Sequence, residues 1–179
     1  KTKKYMVIIN LMQITEQNEK NIIEASRKIN QAKPDVLYFA DSLGAMNTKD
    51  VFKYVKYLRS HWKGELGIHT HNNLGKAVSN TLSAIENGVT WIDSTVTGMG
   101  RGPGNSETEY VLIEMSKLSS TRYNLLPITK IIKKYFEPLK EKYKWGPNSF
   151  YYLAGKYGIH PTYIQEMLNI KMDDIEILE

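Results

Sequence analysis

Four short apolar runs punctuate the first hundred residues, and amphipathic stretches separate them. Tyr5 to Leu11 is continuous and rich in β-branched residues, the pattern of a strand buried on both faces of a parallel sheet. Asp35-Val-Leu-Tyr-Phe-Ala40 is the second run and ends in Asp41-Ser42-Leu43-Gly44. The third lies within 66–75, Leu-Gly-Ile-His-Thr-His-Asn-Asn-Leu-Gly. Val89 to Val96 is the fourth, and it passes into the glycine-rich stretch from Gly98 to Asn105. Between the runs the apolar spacing turns helical. Thr15 is a predicted N-cap for a helix with Ile22, Ala25 and Ile29 on one stripe. Asn47 or Thr48 opens a second, where Val51, Tyr54, Val55 and Leu58 fall at i, i+3, i+4 and i+7. A third carries Ala77, Thr81, Ala84 and Ile85 and stops at Asn87-Gly88. Ser106-x-x-Glu109 has the capping-box pattern and opens a fourth through Val111, Leu112, Met115 and Leu118.

The runs begin near residues 5, 35, 65 and 89, so strand and helix alternate strictly. That alternation predicts an α/β fold with a parallel sheet and helical crossovers. It covers residues 1–120 and then stops. Residues 121–179 read as a helical extension. One helix spans Tyr123 to Tyr143 with a bend at Pro138, a break follows at Trp145-Gly146-Pro147, and two shorter helices are joined by the turn Gly158-Ile-His-Pro161.

Polar and unusual residues gather where the predicted strands end: Asn10, Asp41-Ser42, His69-x-His71 and the glycine-rich loop. In α/β folds that edge is where sites are built. On a strand, period-2 alternation puts Gly67, His69 and His71 on one face and Leu66, Ile68 and Thr70 on the other. Two imidazoles at i and i+2 lie about 7 Å apart along a strand and can converge on one divalent cation. The bland reading is two polar side chains satisfied at a strand end. Asp93 shares the alternation of Trp91 and Thr95, and a hydrogen-bonded structural role is expected for it. The glycine loop has neither a dinucleotide fingerprint nor a Gly-Lys-Ser/Thr phosphate loop, so its glycines are expected to serve backbone turns. Arg101 in that loop is either solvated or a contact for an anionic substrate, and Trp145 either a packing group or a substrate contact. His61 and His160 are expected to be structural.

The chain has 179 residues, 41% of them hydrophobic, and no cysteine, which excludes a thiol nucleophile and a disulfide framework. Its formal net charge of +5 invites a nucleic-acid reading. The excess is spread over lysine-rich helical stretches, and between Lys130 and Lys144 Glu137 and Glu141 interrupt it, as on a solvated helix face. No apolar run approaches the roughly 18 residues of a membrane span, so neither nucleic acid nor membrane is an expected partner.

His69-Thr-His71-Asn-Asn-Leu-Gly75, then Asp93-Ser-Thr-Val-Thr-Gly-Met-Gly100 and Gly104-Asn105, resemble the last strands of a metal-dependent superfamily of pyruvate aldolases and acyl-CoA-condensing enzymes. The superfamily includes 4-hydroxy-2-oxovalerate aldolase, isopropylmalate synthase and 3-hydroxy-3-methylglutaryl-CoA lyase. Asp41-Ser-Leu-Gly44 resembles its sixth strand, and Trp145 to Leu168 is similar to the helical tail of the aldolase branch. The resemblance implies the C-terminal half of a (β/α)8 barrel, four βα units equivalent to strands five to eight. It implies His69 and His71 as metal ligands, Asn105 as a further ligand or a group just behind them, and Ser42, with Asp41, near the substrate carboxylate. The implied cofactor is a divalent metal, Mn²⁺ before Mg²⁺, Co²⁺ or Zn²⁺. The implied substrate is a small 2-oxo acid, and the implied setting is a cytoplasmic homo-oligomer with an aldehyde dehydrogenase as a further partner.

The chain departs from the superfamily pattern at the front. A (β/α)8 barrel takes about 250 residues, and the first-strand Arg-Asp-Gly motif, with its ligand aspartate and enolate-stabilising arginine, is absent, as is the histidine that serves as base. The catalytic base and that arginine are therefore expected upstream of Lys1, in a longer protein. Three readings stay open: an aldolase cleaving a 4-hydroxy-2-oxo acid to pyruvate and an aldehyde, a Claisen-condensing enzyme of the isopropylmalate synthase type, and an inert folding or interaction module that self-associates through exposed sheet edges.

Overall fold

Strands β1 (Ile8–Leu11), β2 (Val36–Asp41), β3 (Glu65–Thr70) and β4 (Trp91–Ile92) form one parallel sheet in sequence order. The structure is a computed structural model that describes residues 5–118, 121–170 and 172–178. Helices α1 (Glu19–Ala32), α2 (Thr48–Arg59) and α3 (Ala77–Glu86) make the three crossovers, and α4 (Thr108–Leu118) follows the glycine loop. Beyond it come α5 (Leu126–Ile131), α6 (Glu137–Tyr143), α7 (Ser149–Tyr157), α8 (Pro161–Asn169) and α9 (Asp174–Leu178). The boundary expected between residues 120 and 121 touches residues outside the described set, as does the stretch Lys1–Lys4.

The strand alternation sets two different faces. Leu37, Phe39, Leu66 and Ile68 point to one side, where Ile22 and Ile29 of α1, Val51, Val55 and Leu58 of α2 and Ala84 of α3 close a buried core over them. Each such fully buried aliphatic side chain stabilises the fold by about 1.5–3 kcal/mol. The other face carries Tyr38, Gly67 and His69, and it is the face on which the site is built.

Several elements differ from expectation for physical reasons. The run Tyr5–Leu11 is not buried on both faces: Tyr5 is 74% and Ile8 46% exposed. Only β2 pairs with β1 among the described residues, so β1 is an edge strand. Thr15 does not cap α1. Ile14–Glu16 forms a 3-10 turn that buries Ile14, and the helix starts after Asn18, whose Oδ1 accepts from the Asn21 amide at 2.9 Å. Asn47 does cap α2, with Asp50 returning a bond to the Asn47 amide at 3.1 Å. The fourth run contributes only two paired residues, because the chain leaves the sheet at Asp93 to build the loop. Ser106 and Glu109 form no capping box. The Ser106 hydroxyl turns inward to accept from Thr81 Oγ1 at 3.2 Å, and Glu109 Oε2 accepts from the Thr97 amide at 3.0 Å. Where a bend is expected at Pro138, the structure has a π turn over Ile132–Phe136 directly before it. Pro138 cannot donate a helical hydrogen bond, and the wider turn accommodates the gap.

Candidate metal centre

His69 and His71 project from the C-terminal end of β3, away from the helical core, with ring centroids 4.8 Å apart and planes nearly perpendicular at 85°. Gly67, two residues earlier on the same face, leaves room for the ring of Tyr38. A Cβ there would fall 2.3 Å from that ring.

Each imidazole is oriented through Nδ1. His71 Nδ1 lies 2.7 Å from the backbone carbonyl oxygen of Asp41. A carbonyl only accepts, so Nδ1 carries the proton. Burial pushes the His71 pKa down to about 4, against the opposing pull of that carbonyl, so the ring is neutral and its Nε2 holds a lone pair. His69 Nδ1 lies 3.0 Å from Asp93 Oδ2. Tyr38 directs its phenol at the same carboxylate; burial first, and then the Asp93 charge, push the phenol up to about 12. The bond from His69 holds the Asp93 carboxyl below its ordinary range. Neither Nε2 has a hydrogen-bond partner among the described residues. This carboxylate–imidazole and carbonyl–imidazole pattern is the one that orients histidines toward a metal. No third His, Cys, Asp or Glu joins them in a cation-holding group among the described residues.

Asn105 is brought to the same place by backbone. It bridges to His71 across the loop, and the Asn72 amide donates to Gly104 O at 2.9 Å. Its Nδ2 donates to Met99 O at 3.1 Å. Met99 O can only accept, so the nitrogen points there and Oδ1 has no hydrogen-bond partner among the described residues.

Asp41 and Ser42 enter differently from the sequence expectation. The Asp41 carboxylate is 0% exposed and accepts from the amides of Ala45 and Met46 at 2.9 and 3.2 Å. It shapes the β2–α2 loop, and it reaches the site only through its backbone carbonyl. Burial pushes its pKa up from 3.8 to about 6, against those amides. The folded state then holds this proton more tightly than the unfolded chain, so the contribution stabilises below about pH 4 and is lost as pH rises through 6. Asp41→Asn removes that titration. The stability of the variant relative to the parent should move in the variant's favour by about 2–3 kcal/mol between pH 4 and 7, read by urea unfolding at each pH. Ser42 is also buried, and its Oγ accepts from the Gln13 amide at 2.8 Å.

The glycine loop is wound so tightly that a Cβ on Gly104 would meet Gly98 O at 2.3 Å. Thr97 sits at φ 56, an uncommon place for a β-branched residue. Its amide donates to Glu109, and its carbonyl accepts from Trp145 Nε1 at 3.0 Å. Trp145 is buried, and this bond ties it to the loop. Arg101 Nη1 donates to Thr162 Oγ1 at 2.9 Å, and His160 caps α8 by accepting from the Thr162 amide. His61 is exposed just past α2. Sequence reasoning missed Tyr38 and Asn73. Asn73 is fully buried and its Nδ2 donates to Tyr151 O at 3.3 Å, tying the His loop to α7. Gly67 was the available signal for the first, a glycine in an apolar strand beside an aromatic; nothing local marks the second.

A parallel α/β sheet with two histidines at the C-terminal end of one strand is the frame in which the comparisons with known proteins are read. Residues 1–133 match the HMGL-like family, and the chain belongs to it. It is 32% identical over 162 residues to 4-hydroxy-2-oxovalerate aldolase of Carboxydothermus hydrogenoformans, covering 87% of this chain and 48% of that protein. Against the protein of the same name from Bacillus thuringiensis it is 29% identical over 174 residues, covering 93% and 51%. The chain thus spans about half the length of these curated relatives. Among solved structures, the N-terminal domain of a Bacteroides vulgatus protein described provisionally as an aldolase superposes with a TM-score of 0.82 at 31% identity, over 92% of this chain and 55% of that one. HMG-CoA lyase of Bacillus subtilis gives 0.64 at 19% identity, over 83% and 53%, a likeness of fold alone.

Proposed function

We propose that this chain supplies the metal-holding half of a divalent-metal-dependent aldolase that cleaves a 4-hydroxy-2-oxo acid to pyruvate and an aldehyde. One observation carries the reading: both histidines spend Nδ1 on fixed partners and leave Nε2 without a hydrogen-bond partner among the described residues, on the face of the sheet away from the helical core. That donor set, with Asn105 Oδ1, fits a borderline or hard divalent ion, Mn²⁺ before Mg²⁺, Co²⁺ or Zn²⁺. His69 and His71 would hold it, with Asn105 as a further ligand. When bound, such an ion supplies Lewis acidity toward the keto oxygen of a 2-oxo acid.

The chain's own residues do the positioning. Asp93 and the Asp41 carbonyl fix the two rings. Ser42 accepts from Gln13, which leaves its hydroxyl hydrogen to donate to a substrate carboxylate. The base and the enolate-stabilising arginine belong to the rest of a (β/α)8 barrel, whose further strands would pair at the free edge of β1. A cytoplasmic homo-oligomer with an aldehyde dehydrogenase partner belongs to the same proposal. No described helix is long and apolar enough to cross a membrane.

The test is pyruvate release from 4-hydroxy-2-oxo acids of several chain lengths, using a polypeptide of the relatives' length. Release that requires Mn²⁺ and stops on chelation is expected. No release from any of them overturns the proposal, and thiol release from acetyl-CoA with a 2-oxo acid would move the chain to the condensing branch.

A further inference from the structure

Beside the candidate metal centre lies a cleft of about 670 Å³, between the glycine loop at Met99–Gly102 and the tail helices. Its walls hold two cations, Arg101 and Lys144, the amide side chains Asn148 and Gln165, and the rings of Tyr143 and Tyr151; no Asp or Glu lines it. Glu16 and Glu166 line a separate cavity beyond Thr162. Neither Arg101 nor Lys144 enters an ion pair among the described residues.

The Arg101 guanidinium is exposed to the cleft and tethered at one nitrogen. Nη1 is fixed on Thr162 at the first turn of α8, which leaves Nη2 and Nε to face an oxyanion. Asn148 uses its Oδ1 to cap the Tyr151 amide at 2.9 Å, so its NH2 remains a donor. The cleft therefore offers donors and positive charge with no competing carboxylate. It also adjoins the histidine loop, because Met99 on its wall accepts from Asn105 Nδ2 at 3.1 Å and Asn105 bridges to His71.

We propose that this cleft receives an oxyanion, a carboxylate or a phosphate monoester, carried by the aldehyde half of the substrate, with Arg101 as the primary receptor and Lys144 as the second charge. Naming the aldehyde half rests on the aldolase reading; the presence of an oxyanion receptor does not. A neutral aldehyde makes no use of the two cations, whereas a charged one gains an ion pair with them.

The experiment is calorimetric binding of three probes, propanal, succinic semialdehyde and glyceraldehyde 3-phosphate, to the parent, Arg101→Gln and Lys144→Gln. Both positions are at the surface of the cleft and melting temperatures should match the parent. The expected result is at least a tenfold preference of the parent for one charged probe over propanal, reduced to within about twofold in Arg101→Gln and partly in Lys144→Gln, and weakened by salt. Whether the carboxylate or the phosphate probe binds more tightly identifies the source. Equal affinity for all three probes in the parent, or a preference that survives Arg101→Gln, overturns the proposal. A charge preference that persists where no pyruvate is released would leave the receptor standing and remove only the aldolase reading.

Discussion

His71→Ala should weaken Mn²⁺ binding by at least about 100-fold, since it removes a ligand where loss of an outer partner alone costs about 10–100-fold. No neighbour readily replaces the ring, because His69 Nε2 already belongs to the same site and the Asp93 carboxylate is engaged by His69 Nδ1 at 3.0 Å. His69→Ala should behave alike. Asp93→Asn is the informative companion. It keeps the size of the group that His69 Nδ1 meets at 3.0 Å but removes its charge, so affinity should fall by about 10–100-fold with the melting temperature nearly unchanged. Calorimetric titration with Mn²⁺ measures all three. Parent-like affinity in His71→Ala would place the ion elsewhere.

Trp145→Ala should be the most destabilising single change in the tail, by about 3–5 kcal/mol for a buried aromatic. Trp145 is 7% exposed, and its Nε1 is one of the bonds that hold Thr97 in its left-handed conformation. Trp145→Phe separates the two effects. It keeps most of the apolar volume and removes the donor, so its cost should be about 1–3 kcal/mol. The loop should loosen while the core stays folded, because Gly98 and Asn105 are bonded to each other directly behind Thr97. Hydrogen exchange should quicken at those amides in Trp145→Phe and stay unchanged in β2 and β3. Uniform acceleration across the sheet would show that the tryptophan supports the core rather than the loop.

Much of this architecture was written locally. The β-branched runs, the helical spacing of Val51, Tyr54, Val55 and Leu58, and the Asn47 cap each express a preference over a few residues, and the folded chain follows them. The face of the histidines followed from period-2 alternation, since one register decides both what is buried and what is presented. What was not legible depends on groups far apart in the chain. Asp41 looked like a substrate contact because it ends a strand, yet its carboxylate turns inward to the amides of Ala45 and Met46 and only its carbonyl serves His71, thirty residues on. Thr15 looked like a cap because nothing in its neighbourhood announces that burial of Ile14 delays the helix to Glu19. The pairing of His69 with Asp93 and Tyr38 joins β2, β3 and the residue that follows β4, and only the register of the sheet brings them together.

Anomalous diffraction from crystals grown with Mn²⁺ addresses the two imidazoles most directly. A single peak is predicted at about 2.0–2.3 Å from Nε2 of both His69 and His71, with the Nδ1 bonds to Asp93 and the Asp41 carbonyl intact. An absent peak at saturating Mn²⁺, or an ion bound through Nδ1 with those bonds broken, would contradict the account.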